Sequence, residues 1–120
     1  MALSPEFKQK RAKLFKKLEQ SSLLTEELKR EIIEVYGQRG IKALEAIKEG
    51  RVIKRGERWF VQGKAEEYEV VKNLCTCKDF VLNVVTGRAG VDACYHVLAK
   101  RICELLDAYY VSPKNRDAEV

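Results

Sequence analysis

The sequence predicts an α+β fold: N-terminal helices, then a small antiparallel β-meander, then a C-terminal helix. Three observations carry this expectation. Apolar residues recur at helical spacing from Phe7 to Ile47. The period changes at Arg51, where short runs rich in Val, Ile, Trp, Phe and Tyr alternate with glycine-containing turns. From Cys94 onward the helical period returns.

Each element has its own signal. Ser4-Pro5-Glu6 reads as a helix start: an N-cap, then proline in the first turn, then an acid near the positive end of the helix dipole. Phe7, Leu14, Phe15 and Leu18 form the apolar stripe of that helix, and Gln20-Ser21-Ser22 ends it. Thr25-Glu26-Glu27 starts a second helix with the stripe Leu28, Ile32, Val35 and Tyr36. Gly37 to Gly40 reads as a turn. Ile41, Leu44 and Ile47 mark a short third helix, with Gly50 suited to its C-terminal end. Residues 51–55 and 58–62 flank the turn candidate Gly56-Glu57, and residues 67–73 form a third strand, completing a meander. Leu98, Ile102, Leu105, Leu106 and Tyr109 define the last helix, which Ser112-Pro113 stops.

With 120 residues, 46% apolar and 34% charged, the chain amounts to one core with a helical extension. No apolar run approaches the roughly 18 residues of a membrane span, so no membrane partner is expected. No signal-peptide pattern opens the sequence, which makes a reducing, cytoplasmic setting the expectation. The net charge of +5 permits a nucleic-acid or acidic partner without requiring one.

In that setting four cysteines and a single histidine read as metal ligands before disulfides. Cys75-x-Cys77, a gap of sixteen residues, then Cys94-x-His96 supplies three thiolates and an imidazole, a common structural donor set for Zn2+. In an extended chain residues i and i+2 face the same way, so Cys75 and Cys77 at a strand end present both sulfurs to one ion. Cys94 and His96 fall at a helix start, where free N–H groups favour a thiolate. Cys103, between Ile102 and Leu106, reads as core rather than ligand. Asp79 and Asp92 flank the motif, but four ligands fill a tetrahedral site and no His-x-Glu spacing appears, so no enzyme is expected. Asp79 is expected to cap a turn or accept a hydrogen bond beside the ligands.

The pattern Cys-x-Cys, variable gap, Cys-x-His resembles the SWIM zinc finger. The likeness extends to Trp59-Phe60-Val61 and Tyr68-Glu69-Val70, which resemble that family's preceding strands, and to Cys77-Lys78-Asp79-Phe80 and Cys94-Tyr95-His96-Val97-Leu98-Ala99. It covers roughly residues 50–105. The stretch from Arg39-Gly40 to Arg51-Val52 is similar to small stand-alone archaeal members. The loop through Val81-Leu82-Asn83-Val84-Val85 is longer and more apolar than in many members and is expected to hold an extra helical turn.

The resemblance implies a meander and helix pinned by Zn2+. It divides the chain into a helical region, 1–49, a SWIM module, 50–111, and a frayed tail, 112–120. It also implies a binding role toward DNA or protein, as an accessory factor in homologous recombination or DNA repair. The implied partner is a RecA-family recombinase paralogue or another DNA-repair ATPase. For DNA, the basic candidates are Lys8, Lys10, Arg11, Lys13, Lys16 and Lys17 on the first helix, with Arg51, Lys54, Arg55 and Arg58 on the strands. The alternative is a general protein–protein adaptor with no direct DNA binding, using Phe80 to Val85 and Tyr109-Tyr110.

Overall fold

The structure is a computed structural model that describes residues 3–106. It is α+β: three N-terminal helices, a three-stranded antiparallel sheet in the order β1-β2-β3, and a C-terminal helix, with a Cys/His cluster between them. The expected features at Tyr109, Tyr110, Ser112-Pro113 and the tail 112–120 lie outside the described residues.

Helix α1 spans Pro5–Gln20. Ser4 caps it, its hydroxyl accepting the Phe7 N–H at 3.1 Å, and Phe7, Leu14 and Leu18 are buried. Helix α2, Glu26–Tyr36, begins the same way: the Thr25 hydroxyl accepts the Leu28 N–H at 3.2 Å. Leu28, Ile32 and Tyr36 form its buried face.

The turn expected over Gly37 to Gly40 is a single residue. Gly37, at φ 62°, ends α2 and opens α3, which runs Gln38–Lys48. Gly40 therefore lies inside a helix. A Cβ there would stand 2.8 Å from the Ile32 carbonyl oxygen, so the glycine serves close helix–helix approach rather than a turn. The buried face of α3 follows from that approach: it is made of Gly40, Ala43, Ala46 and Ile47, while Leu44 is half-buried and Ile41 is exposed.

Strands β1 (Val52–Arg55) and β2 (Arg58–Gln62) form a two-residue hairpin with Gly56 at φ 63° in the first loop position. Strand β3 is Glu67–Val70, shorter than the 67–73 expected. Val71 and Leu74 instead close a tight turn by exchanging backbone hydrogen bonds, with Lys72 at φ 57°. The Lys72 carbonyl accepts from the buried Lys100 ammonium at 3.2 Å, which ties this turn to the last helix.

The pleat sends Val52, Trp59, Val61 and Val70 to one face, where all four are buried. Helix α4, Tyr95–Leu105, packs on the sheet and against α3, burying Val97, Leu98, Ala99, Ile102 and Cys103. One contiguous core joins residues from all four helices and the sheet. Among the described residues no helix is long and apolar enough to cross a membrane.

Candidate metal centre

The tight turn after β3 delivers Cys75 and Cys77, so these two residues sit past a reversal of the chain rather than on a straight strand end. Cys77 Sγ accepts the Phe80 N–H at 3.3 Å, turning the chain back on itself. Phe80–Val84 then form a π-helical turn closed by the Val85 N–H on the Phe80 carbonyl, which is the extra turn expected in this loop. Phe80 is buried, whereas Val81, Leu82 and Val85 project outward. Cys94 occupies the N-cap position of α4 and His96 its first turn.

These elements bring Cys75, Cys77, Cys94 and His96 together. Their donor atoms lie within 4.8 Å of one another and all four residues are buried. His96 Nδ1 is 3.9 Å from Cys75 Sγ and 3.8 Å from Cys94 Sγ. A tetrahedral zinc ion with bonds of about 2.3 Å to sulfur and 2.0–2.1 Å to nitrogen needs sulfur–nitrogen edges of roughly 3.5 Å, so the cluster is close to ligating dimensions. Cys103, fully buried, stands outside this group. Burial alone pushes its thiol up to about 12.

Electrostatics point the same way. Hydrogen bonds from Cys75 and Cys94 hold the Cys77 thiol far below its ordinary value, with further contributions from His96 and the Phe80 N–H. Cys75 and Cys94 are displaced upward by the same sharing. Three adjacent thiolates in a buried site require a compensating cation, which is what a Cys3His metal site supplies.

The cluster is anchored to the rest of the fold by two carboxylates, each two residues from a ligand. Asp79 accepts two hydrogen bonds from Arg39 of α3, at 2.9 and 2.7 Å, and one from Asn83 at 2.9 Å. Burial would raise this carboxyl, but the Arg39 and Asn83 hydrogen bonds outweigh it and hold it below the usual carboxylate range. Asp92 accepts from Tyr36 of α2 at 2.8 Å, and from Arg11 of α1 and Arg101 of α4 at 3.1 Å each. The aromatic residues Tyr95 and Tyr68 flank the His96 ring, at 4.0 and 4.8 Å between centroids. Sequence reasoning placed both aspartates beside the motif but not their partners. Arg39, Tyr36 and Arg101 carry no local signal for this role, since they lie 40, 56 and 9 residues from the carboxylates they meet.

The basic candidates separate into two groups. Lys8, Lys10, Lys13 and Lys16 are exposed on α1 and form no ion pair among the described residues. Most of the others are already engaged. Arg11 is held by Asp92, Lys17 by Glu31, Arg55 by Glu67 and Arg58 by Glu69. Arg51 binds Glu49 and the Gln62 carbonyl, and Lys54 lies over the Trp59 ring. Arg55 and Arg58 both also cover Phe60, at 4.6 and 5.2 Å from its centroid. The outer sheet face is thus a neutralised lattice rather than an open basic surface.

No family model matches the chain, and no solved structure matches it. A relative from Archaeoglobus fulgidus, described as an uncharacterized protein, is 36% identical over 91 residues, covering 71% of this chain and 76% of that protein.

Proposed function

We propose that this chain, which belongs to the family of that Archaeoglobus fulgidus protein, is a SWIM-type zinc module serving as an accessory binding factor in DNA recombination or repair. The buried cluster of Cys75, Cys77, Cys94 and His96 carries this reading. Four protein ligands complete a tetrahedron and leave no position for substrate, so in this reading the ion's role is structural and no catalysis is assigned to it. Bound Zn2+ would supply charge compensation for three thiolates and a cross-link between the turn after β3 and the start of α4. Metal analysis of the purified chain is expected to find about one zinc per molecule. A folded chain with no tightly held metal sinks the reading.

For DNA, support comes from the α1 lysines that form no ion pair among the described residues. Lys8, Lys10, Lys13 and Lys16 neutralise phosphates in a sequence-independent, salt-sensitive manner. Affinity for a mixed-sequence duplex should fall steeply between low and moderate salt, and reversing Lys10, Lys13 and Lys16 to Glu should weaken it. A flat salt response counts against this part. The RecA-family or repair-ATPase partner rests on the motif's resemblance, and co-purification from the native source tests it.

A second reading, a protein adaptor without direct DNA binding, is favoured by one observation. A mainly apolar groove of about 500 Å3 runs between α2 and α3, lined by Leu24, Ile33, Ile41, Leu44 and Ile47 and edged by Lys29, Glu45 and Lys48. Recovery of a stoichiometric protein partner together with no nucleic-acid affinity selects this reading over the first.

A further inference from the structure

Two adjoining cavities of about 590 and 370 Å3 share Lys42 and Tyr95 and flank the metal centre along the seam between α3 and the turn joining β2 to β3. Lys42, on α3, and Lys64, on that turn, both line the larger cavity and are exposed, and neither forms an ion pair among the described residues. Arg51 adds a third cation, tied to Glu49 at 2.9 Å. Glu45 is the wall's carboxylate without an ion pair among the described residues, so uncompensated positive charge prevails. The Tyr95 ring has the Lys42 ammonium 6.0 Å from its centroid and the His96 ring 4.0 Å away.

Gly63 borders this wall. A Cβ there would lie 3.2 Å from the Glu66 carbonyl oxygen and in ordinary contact with the Tyr95 hydroxyl, at 3.5 Å, and His96 Nε2, at 3.8 Å. That Nε2 is buried with no hydrogen-bond partner among the described residues. With Nδ1 turned toward the cysteines, Nε2 is the nitrogen that carries the ring proton when Nδ1 ligates a metal. A buried donor without an acceptor is uncommon, and here it lies behind a cationic cleft.

We propose that this cleft binds the backbone of single-stranded nucleic acid, with Lys42 and Lys64 neutralising phosphate and Tyr95 presenting a stacking face. The proposal rests on the nucleic-acid reading above and adds to it a site and a strandedness. A cleft of this volume is the size of a small-molecule pocket and takes a nucleotide unit, not a duplex. Ammonium groups from α3 and from the turn joining β2 to β3 suit a chain of phosphates, and an aromatic ring lining the same cavity stacks any base, so the binding is sequence-tolerant. The Lys42 side chain is long and exposed, so moving its charge to a phosphate uncovers the Tyr95 ring for a base.

The test is fluorescence anisotropy of a labelled oligothymidylate with the zinc-loaded full chain. Lys42→Glu combined with Lys64→Glu should weaken binding on the order of tenfold and flatten the slope of log affinity against log salt by about 1.4, or about 0.7 for each lost phosphate contact. Glu45→Gln should tighten binding, and Tyr95→Phe should bind like the parent while Tyr95→Ala binds worse, with zinc content and circular dichroism unchanged. If the Lys42/Lys64 variant binds as the parent does while Lys10→Glu with Lys13→Glu weakens binding, the cleft is overturned and the nucleic-acid reading stands. If the parent binds no nucleic acid, both fall. If inorganic phosphate or a mononucleotide displaces the strand at equal phosphate concentration, the site is for a small anion and the strand assignment is overturned.

Discussion

Residues 3–50 and residues 51–106 share one core but are specified differently. In the first stretch α1 and α2 are specified locally: Ser4 and Thr25 satisfy their first turns, and their buried faces follow the helical period, while α3, which has no side-chain cap, is set by its approach to α2. In the second, β3 is four residues long, α4 starts at Cys94 without a side-chain cap hydrogen bond, and the chain between them holds one π-helical turn. What replaces local signals there is the Cys/His cluster and the carboxylates beside it. Helices with their own caps tolerate loss of a distant contact, whereas a segment ordered by ligation depends on it.

Metal removal should expose that difference most. A structural zinc contributes on the order of 10 kcal/mol in small domains, so chelation or Cys94→Ser should unfold the sheet and α4. Trp59 emission should shift red as its buried ring meets water, while part of the far-ultraviolet helical signal persists from α1 to α3. Retention of a buried Trp59 in a metal-free chain would erase the contrast.

Asp92→Ala should come next. It leaves the Tyr36 hydroxyl, Arg11 and Arg101 without their common acceptor where the two stretches meet, costing about 3 kcal/mol by denaturant titration. Tyr36 also links stability to pH. Burial, then the Asp92 charge, raises its phenol above the ordinary value near 10. The neutral phenol is the form that folds well, so its contribution is whole below pH 10 and is lost as pH rises beyond it. A stability profile flat from pH 9 to pH 12 contradicts this.

Gly40→Ala should cost about 2 kcal/mol, because the added Cβ meets Ile32 backbone that must shift, and the loss should appear without release of metal. Thr25→Ala should be the smallest of these effects, about 1 kcal/mol, from loss of one N-cap hydrogen bond. If Thr25→Ala proves as damaging as Asp92→Ala, the helical stretch is less self-sufficient than its caps indicate.

Much of the second stretch was nonetheless legible. The Cys-x-Cys and Cys-x-His spacings named all four residues of the cluster, because zinc's donor preferences leave few alternatives for that composition. Gly56-Glu57 located the hairpin, and the apolar loop 80–85 pointed to an extra turn. Misreadings came where one residue type serves two purposes. Gly40 looked like turn punctuation and is a close-contact residue inside α3. The 67–73 run looked like one strand and is a strand followed by a reversal at Lys72. Both outcomes depend on what lies opposite in space: the Ile32 backbone in one case, the Lys100 ammonium in the other.

Charge shows the same division. The composition predicts a basic chain, and the helical period alone gives α1 its basic outer face, since partners along one helix are set by spacing. Which cations remain available is decided across strands and between elements. Arg55 of β1 and Arg58 of β2 meet Glu67 and Glu69 of β3 only because the sheet places all four on one face, and Arg11 meets Asp92 only because α1 docks beside α4. The sequence by itself therefore determined the order of elements and the identity of the cluster, both of which follow from local spacing and ligand chemistry. The tertiary structure alone decided that Gly40 packs against a neighbouring helix, which carboxylates brace the cluster and which lysines lack an ion pair among the described residues, because each of those depends on a partner distant in the chain.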